Sequence, residues 1–156
     1  MTRGRSPSAT LVVDTNILVS TIMGSRGRPT WLLASMNRHL LVSVESVTEV
    51  VAVTAHNRDR FPHAPDDAKA LIGLLEVPSP RRYEEMIAEA AVTLRNAPAS
   101  RNGSAADAHV LALAWIYGAD IWSHDRDFAG TGWPSWSSAN LADALSEEAL
   151  ASESKD

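Results

Sequence analysis

The fold class is decided by residues 11–16, which read Leu-Val-Val-Asp-Thr-Asn. The run from Leu11 to Val13 lacks polar alternation, which is typical of a strand buried on both faces, as in a parallel sheet. The polar residues from Asp14 onwards end that strand. Because open α/β sheets bind ligands at the carboxyl ends of their strands, Asp14 lies where a functional site is expected.

Strand and helix patterns alternate along the rest of the chain. Further strands are predicted over residues 40–44, 119–123 and 133–137, the last as an edge strand in which Pro134 is tolerable. Helices are predicted over residues 30–36, 46–55, 66–75, 82–94, 104–117 and 140–150. Thr30 is the predicted cap of the first of these, and Gly118 ends the helix over 104–117. Residues 50–53 would also suit a strand. The alternation predicts an α/β fold with a mostly parallel sheet and helices on both faces.

A length of 156 residues corresponds to about one domain. We expect a flexible N-terminal arm at residues 1–9, a single domain at 10–150 and a polar tail at 151–156, without internal repeats or linkers. The longest apolar run, residues 110–117, is far shorter than the ~20 residues of a membrane helix. The N-terminus also lacks the apolar stretch of a signal peptide. These features predict a cytoplasmic protein that does not associate with membranes.

Cysteine and charge counts exclude several classes of function. The chain has no cysteine, which excludes disulfides, thiolate zinc sites and cysteine nucleophiles. Its 14 basic and 19 acidic residues give a net charge of −5, which argues against a dedicated binder of duplex DNA. A nuclease remains compatible with this balance, because a cluster of metal-binding carboxylates is itself acidic. The sequence contains no Walker loop, dinucleotide fingerprint or nucleophile elbow.

Four acids are candidates for a shared site: Asp14, Glu49, Asp107 and Asp125. Each also has an ordinary structural interpretation. Asp14 could cap the next helix, and Asp125 could be a turn residue. The segments 46–49 and 104–107 both fit a capping box, whose last residues would be Glu49 and Asp107.

The positions of these acids favour a cluster over four unrelated roles. Asp14 and Asp125 both follow predicted strands, which puts them on the same edge of the sheet. Asp107 shares a helical stripe with apolar residues, and Glu49 precedes the apolar run 50–53. An acid in apolar surroundings is unfavourable unless it is paired or bound to a metal. No lysine lies near the four in sequence, and the nearest arginine is Arg126.

Converging carboxylates require a cation. At an effective dielectric constant of ~20, two like charges ~4 Å apart repel by about 4 kcal/mol. Oxygen ligands favour Mg²⁺ or Mn²⁺, and either ion would remove this repulsion. Such a site is suited to metal-assisted hydrolysis of phosphodiesters, because the cation activates water and neutralises charge on the phosphate.

Four segments in this order resemble the PIN-domain nucleases, and among them the VapC-like toxins of bacterial toxin–antitoxin pairs. They are Val-Val-Asp-Thr-Asn at 12–16, Ser-Val-Thr-Glu at 46–49, Ala-Asp-Ala at 106–108 and Gly-Ala-Asp-Ile-Trp-Ser-His-Asp-Arg-Asp-Phe at 118–128. The resemblance spans about residues 11–137. It implies a PIN-like α/β/α sandwich and an endoribonuclease dependent on Mg²⁺ or Mn²⁺. It also implies an RNA substrate, an antitoxin partner and a homodimer.

The resemblance also implies roles for individual residues. The catalytic and metal-binding positions of the family fall on Asp14, Glu49, Asp107 and Asp125. Its supporting polar positions fall on Thr15, Asn16, Ser123 and Asp127. Ser123 departs from the usual threonine but keeps the hydroxyl. Trp133 and Trp136 match no family role; they could stack on RNA bases, although packing in the core or at the sheet edge is favoured.

Several arginines lie in or near loops and could bind RNA phosphates, notably Arg26, Arg28 and Arg126. A solvated surface is the ordinary alternative for each of them, and His109 is interpreted as structural. Two other functional classes stay open. A phosphate-handling regulator or phosphatase, receiver-like or haloacid-dehalogenase-like, would need a lysine near the site, but the only lysines are Lys69 and Lys155. A non-catalytic PIN binding module would be expected to lose acids, and this chain retains all four.

Overall fold

The computed structural model describes residues 5–97 and 105–154. Over these residues four strands form one parallel sheet in the order β2-β1-β3-β4. They are β1 (Thr10–Val13), β2 (His39–Leu41), β3 (Asp120–Trp122) and β4 (Ser135–Trp136). The mostly parallel sheet is therefore confirmed, with β1 in the interior and β4 at an edge.

Helices connect and cover the strands. They are α1 (Thr15–Met23), α2 (Arg28–Asn37), α3 (Val44–His56), α4 (Ala64–Ile72), α5 (Ile87–Asn96), α6 (Ala108–Tyr117) and α7 (Ser138–Glu153). No described helix is both long enough and apolar enough to cross a membrane.

The two faces of the sheet bury separate apolar clusters. Leu11 and Val13 of β1 face a cluster to which α1, α2, α3, α4 and α7 contribute, whereas Val12 faces a cluster built with α5 and α6. In β3, Trp122 and Ile121 alternate between the clusters in the same way. Apolar residues thus occupy both faces of β1, as its unbroken run predicts. The predicted α/β/α sandwich is confirmed.

The start of α3 differs from the prediction because its cap lies one turn earlier. The Ser43 side chain accepts a hydrogen bond from the backbone N–H of Ser46 at 3.1 Å and caps a helix that begins at Val44. The strand predicted over 40–44 therefore ends at Leu41. Residues 50–53, for which a strand was an alternative, are helical.

Prolines and glycines shift the ends of two further helices. α2 begins at Arg28 with Pro29 in its first turn, so the predicted cap at Thr30 is wrong. α4 likewise begins two residues before the predicted 66–75, with Pro65 in its first turn, and ends at Gly73. In both cases proline supplies the backbone torsion of a first helical turn without losing a needed N–H donor.

The helices on the second face have 3₁₀ turns at their starts. One helix was predicted over residues 82–94, but two 3₁₀ turns, Pro80–Arg82 and Glu84–Met86, lie on either side of Tyr83, and α5 follows them. The Tyr83 ring is fully buried, which fixes the chain at this point. α6 is preceded by the turn Ala105–Asp107 and stops at Gly118, whose φ of 60° suits glycine. Ser104, the predicted start of a capping box, lies outside the described residues.

The first described residues lie at the amino edge of the sheet and contact α7. Arg5 and the Ser8 backbone N–H, in the segment predicted as a flexible arm, donate hydrogen bonds to the buried Asp120 carboxylate at 2.8 and 3.0 Å. Arg38 pairs with Glu148 of α7 at 2.6 Å. α7 itself continues to Glu153, past the predicted end at 150. Residues 1–4 and 155–156 lie outside the described part of the chain.

Candidate active site

Asp14 lies at the junction of β1 and α1, at the carboxyl edge of the sheet. One carboxylate oxygen accepts a hydrogen bond from the backbone N–H of Thr15 at 2.8 Å, and the other accepts one from the Ser123 hydroxyl at 2.6 Å. The side chain is buried, and burial raises the pKa of Asp14, while these two hydrogen bonds oppose the rise. Asp14 therefore does cap α1, but one of its oxygens is directed across the sheet edge to the end of β3.

Ser123 connects the acid after β1 with the acid after β3. Its hydroxyl donates to Asp14 and accepts hydrogen bonds from the backbone N–H of Asp125 at 2.9 Å and from the Asn16 side chain at 3.4 Å. Asn16 also accepts a hydrogen bond from the backbone N–H of His124 at 3.2 Å. The turn that carries Asp125 is thereby fixed to the first turn of α1.

Asp125 and Asp127 lie within that turn. Asp125 accepts a hydrogen bond from the backbone N–H of Asp127 at 2.9 Å, as expected of an aspartate in a turn. Burial, and secondarily Asp125, raise the pKa of Asp127. A structural interpretation of Asp125 thus holds alongside its position near Asp14.

Glu49 reaches the site from the second turn of α3. Its carboxylate accepts a hydrogen bond from the Thr15 hydroxyl at 3.1 Å. The capping-box interpretation of residues 46–49 is wrong, because Ser43 caps this helix one turn earlier. The expectation that Glu49 lies in apolar surroundings is also wrong, because the side chain is exposed on the open side of the sheet edge.

Asp107 approaches from the opposite side, immediately before α6. It makes no side-chain capping bond to α6. The predicted capping box would pair Asp107 with Ser104, which lies outside the described residues. The pKa of Asp107 is raised to about 6, first by burial and then by the negative charges of Asp14, Asp125, Glu49 and Asp127, in that order. Four acids from three other segments of the chain therefore lie within electrostatic reach of the Asp107 carboxyl group.

In the part of the chain that the structure describes, no basic side chain forms an ion pair with these acids. Among residues 5–97 and 105–154 the ion pairs are Arg5–Asp120, Arg38–Glu148 and His39–Glu76, none of which involves the cluster. Within the same residues, no three carboxylate or imidazole groups already have the spacing of a metal cage. The donor set consists of carboxylate oxygens, which suits a hard divalent cation.

His109 lies beside the acids and was not expected there from the sequence. It is the second residue of α6, is buried, and its Nδ1 lies 2.8 Å from the Ser43 hydroxyl. Burial lowers the pKa of His109, opposed by the charges of Glu45, Asp14 and Glu49. The sequence signal was weak: a histidine two positions after Asp107 points in no particular direction until the helix start is known.

Glu45 is a further acid that sequence reasoning missed. It accepts a hydrogen bond from the Tyr83 hydroxyl at 2.6 Å, and that hydroxyl accepts one from the backbone N–H of Val44 at 3.3 Å. Burial raises the pKa of Tyr83, and Glu45 raises it further. Glu45 is thus engaged in fixing the first turn of α3.

The predicted RNA-contacting arginines are separated by the fold. Arg126 is exposed in the turn next to Asp125. Arg26 is exposed in the loop between α1 and α2. Arg28 lies along a groove with Trp31 and other apolar residues rather than among the acids. Of the three, Arg126 is the one adjacent to the acidic cluster in the chain.

The tryptophans near the C-terminus pack at the sheet edge. The Trp133 indole donates to the backbone carbonyl of Ala119 at 2.8 Å, and the Trp136 indole donates to Asp120 at 2.9 Å. Each packs against one of the two apolar clusters. These contacts support the packing interpretation over stacking on bases.

Two concave surfaces of the described residues are lined by none of the four acids. A cleft of about 800 Å³ between β4 and α7 is lined by residues that include Trp136, Asn140 and Glu147, and by none of the four acids. The acidic cluster itself occupies an open sheet edge, which would admit a polymeric ligand.

Comparisons with known proteins agree with this architecture. A family model described as PIN domain matches residues 12–146. VapBC2 from Rickettsia felis, bound to a DNA fragment from its promoter, is similar at 14% identity and a TM-score of 0.64, covering 82% of this chain and 98% of that one. VapBC-1 from nontypeable Haemophilus influenzae is similar at 17% identity and a TM-score of 0.62, and FitAcB from Neisseria gonorrhoeae is similar at 17% identity and a TM-score of 0.54. Each of these two matches covers 83% of this chain and 98% of the other chain.

The structural similarities at these identities concern the fold, and no curated protein matches the sequence. The family match covers most of the chain, including all four candidate acids. It also favours a PIN fold over the receiver-like and dehalogenase-like alternatives. The chain belongs to the PIN domain family.

Proposed function

We propose that the chain is a metal-dependent endoribonuclease and the toxin of a type II toxin–antitoxin pair. The observation that carries the proposal is the cluster of acids around Asp107, whose pKa is raised to about 6 by burial and by four neighbouring acids. None of the ion pairs among residues 5–97 and 105–154 involves these acids. A folded chain keeps such mutually repelling groups together only at an energetic cost. Binding of a cation and a phosphodiester gives that arrangement a function.

Mg²⁺ or Mn²⁺ would be held by Asp14, Glu49, Asp107 and Asp125. When bound, such an ion activates water and stabilises negative charge on the scissile phosphate. The hydroxyl of Ser123 orients Asp14, and the hydroxyl of Thr15 orients Glu49. Asn16 and Asp127 support the turn around Asp125.

The open sheet edge suits single-stranded or looped RNA. Exposed Arg126 lies beside the acids in the chain and is assigned a phosphate of the substrate, because a guanidinium binds phosphate oxygens bidentately. Arg26 and Arg28 would contact RNA farther from the cleavage point. Such a ribonuclease would act on cellular RNA in the cytoplasm.

The direct test is cleavage of a structured RNA with Mg²⁺ or Mn²⁺, with and without excess EDTA. We expect cleavage that EDTA abolishes. Asp14→Asn preserves size but removes a charge, and should lower activity by orders of magnitude while circular dichroism stays native. Asp143→Asn, on the exposed side of α7, is the matched control and should retain activity. Cleavage that persists in EDTA, or an active Asp14→Asn variant, rejects the proposal.

A non-catalytic PIN module is the competing function within the family. Such a module would also bind RNA but would leave the RNA uncleaved at any metal concentration. Gel analysis of the RNA after binding separates the two functions, because the proposed enzyme shortens the RNA and a binding module does not.

The proposed partner is a small antitoxin protein, in keeping with the toxin–antitoxin complexes named among the structural neighbours. A groove of about 380 Å³ between α1, α2 and α4 exposes Leu32 and Leu74 at 60% and 74%, and Trp31 forms part of its wall. Exposed leucines beside a groove fit the apolar face of a partner helix. A basic segment of the same partner would pair with Asp14 and Asp107 and block the site. We also propose a homodimer, which rests on the family resemblance alone.

The partner proposal is tested by antitoxin affinity across a salt series and by replacing the antitoxin's basic residues with alanine. Charge pairing near the surface should weaken with salt, whereas the apolar contact should persist. The alanine variant should bind but inhibit less. An alanine variant that inhibits as well as the original rejects blocking of the site, and Leu74→Ser with unchanged affinity rejects the groove.

A further inference from the structure

His109 is a buried group beside the acidic cluster that the proposed reaction does not use. Its side chain is 8% exposed, and its Nδ1 lies 2.8 Å from the Ser43 hydroxyl. The ring also forms a hydrogen bond with the backbone of Ala106. One imidazole therefore connects the cap of α3 with the residue immediately before Asp107.

The Ser43 side of this link determines where α3 lies. Ser43 is fully buried and accepts the backbone N–H of Ser46 at 3.1 Å, so it fixes the first turn of the helix. Glu49 follows on the next turn, is exposed, and has a hydrogen bond from Thr15 at 3.1 Å. The direction in which Glu49 leaves the helix depends on the register set at Ser43.

The contribution of His109 to the cluster is geometric. Its two hydrogen bonds reach one residue on each of the two segments that carry Glu49 and Asp107.

We propose that His109 is a positioning residue that holds Glu49 and Asp107 at the spacing needed to bind one divalent cation, acting through Ser43 and Ala106. The inference rests on the proposed function, since it concerns the same acids. It adds a residue outside the set implied by the family resemblance. Groups that hold metal ligands in place commonly change metal affinity 10–100-fold when removed, although they do not touch the metal.

The test compares three variants by Mn²⁺ binding, measured from the free-ion signal in electron paramagnetic resonance without RNA. His109→Leu fills the space without hydrogen bonds, and should raise the Mn²⁺ dissociation constant about tenfold and lower kcat, with an unchanged KM for RNA. His109→Asn can place a polar atom near the position of Nδ1, and should stay within about threefold of wild type. His56→Leu, exposed at the end of α3, is the control and should change nothing.

Wild-type affinity in His109→Leu overturns the inference, as does an Asn variant no better than the Leu variant. If His109→Leu fails to fold by circular dichroism, Ser43→Ala removes the same link from the other side. It should weaken Mn²⁺ binding similarly, and unchanged affinity overturns the inference.

Failure of the proposed function gives a different pattern. A wild-type chain that binds Mn²⁺ but leaves RNA intact rejects the ribonuclease and still allows the variants to be compared. If the wild-type chain binds no Mn²⁺, amide hydrogen exchange measured in EDTA tests the positioning role of His109 instead. Amides at 44–47 and 106–108 should exchange faster in His109→Leu than in wild type or His109→Asn, and equal rates overturn the inference.

Discussion

Removing the charge of Asp107 should stabilise the metal-free protein. The pKa of this group is raised from 3.8 to about 6 by burial and by repulsion from its acidic neighbours. A difference of about two pH units between the folded and unfolded values corresponds to about 3 kcal/mol of lost stability at neutral pH. Asp107 is partly exposed and solvent screens the repulsion, so we expect Asp107→Asn to gain about 1–2 kcal/mol. For a domain of this size that raises Tm by about 2–8 °C.

The sign of the pH dependence follows from proton binding. The folded chain holds the Asp107 proton more tightly than the unfolded chain, so ionisation of this group opposes folding. Its stabilising protonated form is fully present below pH 3.8 and is lost as pH rises through about 6. The advantage of Asp107→Asn should therefore be small at pH 4 and fully developed at pH 7. Asp14 and Asp127, whose pKa values are also raised, titrate in both proteins.

The assay is urea unfolding in EDTA, followed by circular dichroism at pH 4, 5, 6 and 7. Asp143→Asn on α7 is the matched control and should unfold like wild type throughout. Added Mn²⁺ should reverse the order, because it stabilises the wild-type cluster more than the variant. A gain that is equal at pH 4 and pH 7, or absent at pH 7, refutes the claim that repulsion raises the pKa of Asp107.

Three further predictions concern single contacts. Asp120→Asn weakens the acceptor for Arg5 and should cost about 1–3 kcal/mol in urea unfolding without changing RNA cleavage; an unchanged unfolding midpoint contradicts the anchoring role. Ser123→Ala removes the hydroxyl between two acids and should lower cleavage about tenfold, whereas Ser123→Thr should stay near wild type, so equal losses would contradict that bridge. Trp31→Ala removes the ring that stacks on Trp122 at a centroid distance of 5.7 Å and should cost about 3–5 kcal/mol, measured by fluorescence-monitored unfolding; a loss under 1 kcal/mol contradicts it.

The parallel sheet was predictable because an unbroken apolar run indicates a strand that is buried on both faces. Leu11-Val12-Val13 is apolar on both faces, and the structure places its residues in two different clusters. The first residues of the helices were less predictable, because neighbouring residues can each serve as the N-cap of the same helix. Ser43 and Ser46 are both acceptable caps and both are buried, but the Ser43 hydroxyl also contacts His109, 66 positions away in the chain. Nothing in the local sequence carries that information.

The acids that the structure brings together at the sheet edge were predictable as residues, but their environments were not. The strand ends placed Asp14 and Asp125 on one edge, where Ser123 links them. Glu49 was expected in apolar surroundings and is exposed, because only Val50 of the run 50–53 is buried, while Val51 and Ala52 are exposed as well. His109 could not be assigned, since its partner Ser43 is 66 positions away in the chain.

The two ends of β3 show why the site lies at the carboxyl edge. Asp120, at the amino end, is buried, and its carboxylate accepts hydrogen bonds from Arg5, the Ser8 N–H and the Trp136 indole. Asp125, beyond the carboxyl end, instead faces other acids and raises the pKa of Asp107. Both are aspartates flanking one strand, so residue type alone does not separate them. Their surroundings do. The hydrogen-bonded carboxylate of Asp120 holds the fold together, whereas Asp125 adds to the repulsion around Asp107, which the proposed cation would offset.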